Sequence, residues 1–492
     1  MGLVSQVFDE HDIEVLTGDM AIGHTRYSTA GGSKLAGAQP FVLETDLGQL
    51  AIAHNGQVAR NVALRKLVLA RGVGLFSNSD SEVIAQMLAR QHDPAEAAAY
   101  EKREAERDAA AAAGAAAAAA AADSAAASAA PGSSDGNGGS RGASASAAAA
   151  APAAPAAWPA WLARIAAFMR DCEGAYSLVA LTKDALYGIR DPFGLRPLCV
   201  GRAAGIDGSW SYHLSSESCA FGTVGGDYVR EVQPGEVVRL DRHGIKSWMP
   251  LADPVAAAQP SALAMPLPRA PSFCVFEYVY FARPDSIFEG QMVHSVRTRL
   301  GAALAREAPV AGADLVSGVP DSSIAAAIGF AATVGLPFSE VFCKNRYIGR
   351  TFIKPDETLR KNAIQLKYNP LSHVLSGKKI VLVDDSLVRG NTLRQLVPLL
   401  RKGGAVEVHV RISSPPIRHP CFYGVDIGTY DELIATHKTT VEAICAYIGA
   451  DSLEYLTHDG MIAAVKEGVP ASRATGHCSA CMTGEYPVLF DA

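Results

Sequence analysis

The sequence predicts a two-domain protein of mixed α/β and α+β class, and three observations carry that expectation. The stretch Lys379–Thr392, KIVLVDDSLVRGNT, reads as a strand, a loop and the start of a helix, the unit from which doubly wound parallel sheets are built. Residues 1–90 alternate short apolar runs with polar, glycine-rich loops, the pattern of compact α/β structure with many short strands. With 492 residues, the chain is too long for one core.

In chain order, three polar clusters come first: GHTRYSTAGG at Gly23–Gly32, IAHNG at Ile52–Gly56 and SNSDSE at Ser77–Glu82. Arg26 is suited to clamp a carboxylate, and Asp80 to pair with an amino group. Asn55 with the Gly56 amide is suited to form an oxyanion hole. Together they fit an amino acid whose side-chain amide is attacked. Two plainer readings stand beside this one: Asn55-Gly56 as a hairpin turn and Asp80 as a helix cap. From residue 94 to 157 the chain is rich in Ala, Gly and Ser, a composition that cannot build a core and reads as a disordered insertion. WLARIAAFM at Trp161–Met169 predicts an amphipathic helix, and AYSLVAL a strand. Next, GIRDPFGLRPLCVGR at Gly188–Arg202 contains a DPFG turn, to which no catalytic role is assigned. After LSSES and VQPGEVVRL, the first domain is expected to close near Arg242.

DLVSGVPDSS at Asp314–Ser323 predicts a strand ending in a turn. VFCKNRYIGRTFI follows, a basic loop in which Lys344, Arg346 and Arg350 surround Tyr347 and Gly349. It could stand free in solvent or fold over a diphosphate and expel water. Ile380–Val383 is a branched aliphatic run, as expected of a strand buried on both faces. Asp384 and Asp385 end it, and Ser386, Arg389, Gly390, Asn391 and Thr392 form the loop before LRQLVPLLRKGG. That segment predicts a helix closed at Gly403–Gly404 despite Pro398. Loop amides and a helix N-terminus favour phosphate, whereas adjacent acids repel it. The acids suit a vicinal diol or a hydrated Mg²⁺ carried by a diphosphate. Both needs are met by 5-phosphoribosyl 1-diphosphate (PRPP). An acid pair capping the sheet of a receiver-type phospho-acceptor is the plainer alternative.

Net charge is −6 and no dense basic run occurs, so neither nucleic acid nor an anionic membrane is an expected partner. No stretch has the apolar strength of a membrane span. Nine scattered cysteines argue for a reducing compartment rather than a disulfide framework. Cys478 and Cys481 form a C-x-x-C that could be redox-active, zinc-binding or idle. Cys172, Cys199, Cys219, Cys343 and Cys445 read as core thiols.

VLVDDSLVRGNT closely resembles the PRPP loop of the phosphoribosyltransferases, with Asn391-Thr392 where that family usually has Thr-Thr. The clusters around Arg26, Asn55 and Asp80 resemble the glutaminase domain of class II glutamine amidotransferases. FEYVYFARPDS, GVPDSS, KNRYIGRTFI and SSPPIRHPCFYGVD complete a pattern that closely resembles the amidophosphoribosyltransferase family over nearly the whole chain. This resemblance implies an N-terminal-nucleophile glutaminase αββα sandwich over 1–93 and 158–260, interrupted by the insertion 94–157. A type I phosphoribosyltransferase doubly wound domain over 261–492 follows. It also implies glutamine and PRPP as substrates, purine nucleotides as feedback inhibitors and assembly as a homotetramer.

Carried over by residue, the resemblance makes Arg26 and Asp80 the glutamine contacts, and Asn55, Gly56, Lys344, Arg346 and Arg350 catalytic. PRPP would meet Tyr347, Gly349 and Asp384 to Ser386, with Arg389 to Thr392, and Ser322, Asp384 and Asp385 would hold Mg²⁺. Cys274, Cys421, Cys478 and Cys481 match the cysteines of the family's iron–sulfur branch, where four thiolates bind a [4Fe–4S] cluster. The same four could hold zinc. Met1-Gly2-Leu3-Val4-Ser5 corresponds to an internal segment of the family, so roughly fifty residues bearing the nucleophilic cysteine and first strands are expected to be missing. No cysteine lies before Cys172, so a dead glutaminase beside an ammonia-dependent transferase, or a non-catalytic PRPP-binding regulator, are the rival readings. A plastid stroma is implied for a plant or algal source and the cytoplasm otherwise.

Overall fold

Among the described residues, nine strands of the first domain build two stacked sheets. They are β1 (Phe41–Thr45), β2 (Gly48–Val58), β3 (Gly174–Leu181), β4 (Leu186–Arg190), β5 (Cys199–Ala204), β6 (Trp210–Ser215), β7 (Asp227–Glu231), β8 (Val237–Asp241) and β9 (Gly244–Trp248). The computed structural model describes residues 4–25, 35–90, 159–205, 208–252, 270–345, 367–471, 473 and 476–488. Expectations about Arg26, the insertion 94–157, and Arg346, Tyr347, Gly349 and Arg350 therefore fall outside the described residues.

The larger sheet runs β1-β2-β3-β4-β8-β9 and the smaller β6-β5-β7, with antiparallel pairing throughout. Helices α1 (Asn61–Ala70), α2 (Asp80–Ala89) and α3 (Ala160–Asp171) cover the outer face of the larger sheet. Leu64, Val83, Ile84, Leu162 and Ile165 pack there on Leu50, Ile52 and Leu178. On the other face Val238 and Leu240 meet Leu198 and Val200 of the smaller sheet, which carries the one-turn helix Cys219–Thr223. The layers follow the αββα order that the sequence implies. Arg242 lies in the turn of the β8–β9 hairpin, and β9 completes the sheet.

The second domain holds a parallel sheet of β10 (Leu315–Gly318), β11 (Lys379–Asp384), β12 (Glu407–Ile412) and β13 (Ser452–Tyr455), in that order. Flanking it are α4 (Val293–Glu307), α5 (Ile324–Val334), α6 (Leu393–Lys402), α7 (Val441–Ile448) and α8 (His458–Lys466). The aliphatic run in β11 is explained by its two faces. Val381 and Val383 pack with Val296, Phe330 and Met461 of α4, α5 and α8. Ile380 and Leu382 pack with Leu396, Val397 and Ile444 of α6 and α7. Pro398 removes one backbone donor from α6, yet the helix persists because Leu393, Leu396, Val397 and Leu400 are buried along one face. Cys343 corrects the expectation of a core thiol: it is exposed, on the two-stranded ribbon Phe342–Lys344 with Tyr368–Pro370.

Helices α4 and α5 cross at two glycines. A Cβ on Gly301 would overlap the Ala326 carbonyl, and one on Gly329 the Thr298 carbonyl. Backbone stands on both sides, so no side chain can yield. Gly301→Ala and Gly329→Ala should each cost about 1–3 kcal/mol through overpacking, read as a lower urea midpoint. An unchanged midpoint would contradict the crossing.

Candidate functional site

Each domain holds one candidate site. At the first, Asn55 and Gly56 lie inside β2, paired with Ser177 and Tyr176 of β3. The hairpin-turn alternative is thereby overturned. Gly56 has φ +144°, and a Cβ there would run into the Ala175 carbonyl, so only glycine fits. Asn55 Nδ2 donates to Ser216 Oγ (2.9 Å), and its Oδ1 accepts from Arg196 Nη2 (3.1 Å).

Asp80 opens α2, where Ser79 is the N-cap and accepts from the Ser81 N–H. Its own carboxylate accepts the Val58 N–H (3.0 Å) and stands 3.9 Å from the buried His54 ring. Asp80 thus reaches β2 at Val58, three residues beyond Asn55. Burial lowers the His54 pKa, with the Asp80 charge opposing. Glu82, fully buried, accepts from the N–H groups of Phe76 and Ser77 and ties down the SNSDSE loop.

At the second site Asp384 and Asp385 end β11, the strand flanked on both sides by parallel neighbours. This is the carboxyl end of the sheet, where open α/β folds hold ligands. Ser323 Oγ donates to Asp384 Oδ1 (2.9 Å) and Asp385 Oδ2 (3.2 Å). Ser322 Oγ also donates to Asp385, as does Ser386 Oγ (2.6 Å). Ser322, Asp384 and Asp385 are therefore brought together. Ser323 adds a donor that the tandem serine of GVPDSS signals in retrospect.

Further around the pair, the buried Arg297 guanidinium is fixed by the Tyr278 and Ala282 carbonyls, and its charge acts on Asp385. Lys344 pairs with Asp321, and Tyr368 donates to the Pro320 carbonyl (3.1 Å). Arg389 pairs with Glu432 (2.9 Å) and, with Asn391, lines an open cavity of about 310 Å³ beside His437, Lys438 and Tyr447. Gly390 has φ +72°, and a Cβ would press on Ile434, so its glycine answers to backbone and packing. Thr392 caps α6 with no side-chain hydrogen bond.

Cys274, Cys421, Cys478 and Cys481 come from three distant segments and line one cavity with Leu195, Arg196, Tyr423 and Tyr486. Burial raises all four thiols, Cys478 to about 12. Among the described residues, no three His, Cys, Asp or Glu side chains converge closely enough for a single metal ion.

A segment that sequence reasoning left without a role joins the sites. Glu217 of the SES tripeptide accepts from the Arg283 N–H (2.8 Å) and Ser286 Oγ (2.8 Å), and Ser218 Oγ accepts from the Ile287 N–H (2.8 Å). The DPFG turn is held by Asp191, whose buried carboxylate accepts from the N–H groups of Phe193 (3.0 Å), Leu195 (3.0 Å), Arg196 (3.2 Å) and Tyr176 (3.3 Å).

A glutaminase-type αββα domain docked on a phosphoribosyltransferase-type sheet defines an amidotransferase with two sites. Comparison agrees. Residues 24–101 match a glutamine amidotransferase domain family. An amidophosphoribosyltransferase of Drosophila melanogaster is 42% identical over 99% of this chain and 79% of its own. The solved glutamine PRPP amidotransferase of B. subtilis, complexed with ADP and GMP, is 35% identical with a TM-score of 0.70, covering 95% of this chain and 83% of that one. A solved allosteric regulatory enzyme of purine biosynthesis is 36% identical with a TM-score of 0.70, covering 94% and 81%. The chain belongs to the amidophosphoribosyltransferase family, transferases of purine biosynthesis.

Burial, then the neighbouring Asp385 charge, pushes the Asp384 carboxyl well above its usual range. A carboxyl raised on folding leaves the native state holding the extra proton, so stability falls as pH rises from the unfolded value through the folded one. Asp384→Asn keeps Oδ1 as acceptor for Ser323 and the Asp385 N–H and removes the charge. At pH 8 the ligand-free variant should unfold roughly 2–4 °C higher, the shift that about 1 kcal/mol produces. The gain should shrink toward pH 4; an unchanged midpoint at pH 8 would refute it.

Proposed function

We propose that the carboxylate pair of β11 binds PRPP with Mg²⁺ and that ammonia displaces diphosphate from C1 there, giving 5-phosphoribosylamine. The observation that carries this reading is Asp384-Asp385 at the carboxyl end of a central parallel strand, with three serine hydroxyls turned onto it. Asp384 and Asp385 are suited to the ribose hydroxyls and the metal, and the loop 386–392 with the α6 N-terminus to the 5-phosphate. Ser322, Asp384 and Asp385 are the proposed Mg²⁺ ligands; a hard, oxygen-only set suits that ion, which would neutralise the leaving diphosphate. Lys344, Arg346, Tyr347, Gly349 and Arg350 are proposed to cover the diphosphate. No protein nucleophile is needed, because positioning and charge neutralisation carry the step.

Asn55 and the Gly56 amide are proposed as oxyanion donors for a glutamine amide, with Arg26 and Asp80 as glutamine contacts. Cys274, Cys421, Cys478 and Cys481 are proposed as [4Fe–4S] ligands. The fit rests on an all-sulfur donor set around one cavity and on Arg196, whose Nε is buried there without a hydrogen-bond partner while Nη1 faces Glu277. A positively charged donor beside four thiols suits a group of net negative charge, as a thiolate-ligated cluster is. An all-cysteine set suits zinc or a cluster, and the family resemblance favours the cluster. The cluster's proposed role is structural. Purine-nucleotide inhibition, a homotetramer, and a plastid or cytoplasmic location follow from the family resemblance.

The test is diphosphate release from PRPP and Mg²⁺ by the anaerobically purified 492-residue polypeptide, with ammonium or glutamine as donor. Turnover with ammonium is expected, and Asp385→Asn should lower it on the order of 100-fold. No release with either donor from folded, metal-replete protein would sink the reading in favour of a non-catalytic PRPP binder. Iron analysis should find about four Fe per chain, with a broad visible absorbance lost in Cys274→Ser. Zinc in place of iron would overturn the cluster.

A further inference from the structure

Arg196 occupies an unusual position. It is 7% exposed and belongs to the first domain, yet three surroundings converge on it. Its Nη2 donates to Asn55 Oδ1 (3.1 Å). Its Nη1 stands 3.0 Å from Glu277 Oε1 of the second domain, and the guanidinium lies over the Phe281 ring at 5.6 Å. It also walls the cysteine cavity. Its backbone is pinned by Asp191 through the Arg196 N–H and by Arg190 Nε through the Arg196 carbonyl (2.8 Å).

The chemistry of Asn55 gives this arrangement a consequence. A carboxamide has one end that donates and one that accepts, and a half-turn exchanges them. Ser216 Oγ cannot choose between the ends, because a hydroxyl both donates and accepts. A guanidinium only donates, so Arg196 compels the Asn55 oxygen to face it and turns Nδ2 the other way. An oxyanion is stabilised by Nδ2 and repelled by Oδ1.

We propose that Arg196 is a positioning residue that sets the orientation of the Asn55 amide, and that Glu277 sets Arg196 from across the domain boundary. This rests on the reading of Asn55 as an oxyanion donor. The first domain presents the donor correctly only when the second domain supplies Glu277. Glu277 opens the π-helical turn Glu277–Phe281.

The test compares wild-type protein, Glu277→Gln and the double variant R196M/E277L. The double variant removes both charges at similar volume, which buried pairs tolerate better than loss of one partner. The first measurement is the ratio of glutamine- to ammonium-dependent diphosphate release. It should fall on the order of tenfold in the double variant, through kcat for glutamine with KM nearly constant, and fall in the same sense in Glu277→Gln. A merely structural role would lower both donors alike and leave the ratio unchanged, which would overturn the proposal. The second measurement is a neutron crystal structure of the double variant, which tells amide N from O, and in which Asn55 Nδ2 should no longer be held on Ser216 Oγ. If the wild-type polypeptide uses no glutamine, the ratio is undefined, and the neutron structure alone decides. An Asn55 that keeps Nδ2 on Ser216 Oγ without Arg196 refutes the positioning role.

Discussion

Burial of charge at the domain junction is the constraint on which the rest of the structure depends. Arg190, among the largest fully buried side chains, faces Glu231 (3.3 Å), and Glu231 also pairs with Arg473 and accepts the Glu289 N–H (2.9 Å). Glu289 in turn meets His477 (2.9 Å), the residue before Cys478. Arg196 and Glu277 form the same kind of pair one turn away. Arg190–Glu231 and Glu289–His477 each lie within one domain, whereas Arg196–Glu277, Glu231–Arg473 and the Glu289 N–H to Glu231 cross between the two. Separating the domains would strand buried ions, a loss of several kcal/mol per pair. Docking is therefore enforced by electrostatics as well as by apolar area.

That enforced docking places two chemically different sites against one segment. Glu277–Ile287 meets Arg196 at its start and the SES tripeptide at its end. Ser216, the first residue of that tripeptide, holds Asn55. Gly424, three residues beyond Cys421, packs so closely on Gly56 that a Cβ would approach its backbone to 3.0 Å. The walls of the cysteine cavity, the strand bearing Asn55-Gly56 and the entry to the second domain are one continuous packing unit. Movement in any of them must be accommodated by the others, because interiors are too densely packed to absorb it locally.

Much of the second domain was legible because its signals are local. The run Ile380–Val383 announces a strand buried on both faces, and the acids that follow announce its ligand end. The helix after the loop survives Pro398 because its apolar spacing is strong. The first domain was less legible. Asn55-Gly56 carries the signature of a turn, yet it lies within β2, since pairing with β3 and the close Ala175 carbonyl overrule the local preference. Asp191 reads as a turn residue, and it is one. That its carboxylate gathers four amides and so places Arg196 requires contacts that no dipeptide encodes.

The sequence by itself determined the fold class, the family resemblance and the residue types at each site, because strand periodicity, loop composition and motif spacing are properties of contiguous chain. Tertiary structure decided which of those residues work together. Ser323 beside the carboxylates, the SES tripeptide as a domain clasp and Arg196 between Asn55 and Glu277 all depend on partners remote in sequence. A buried polar group is worth what its partners make it, and those partners are chosen only when the two domains close on one another.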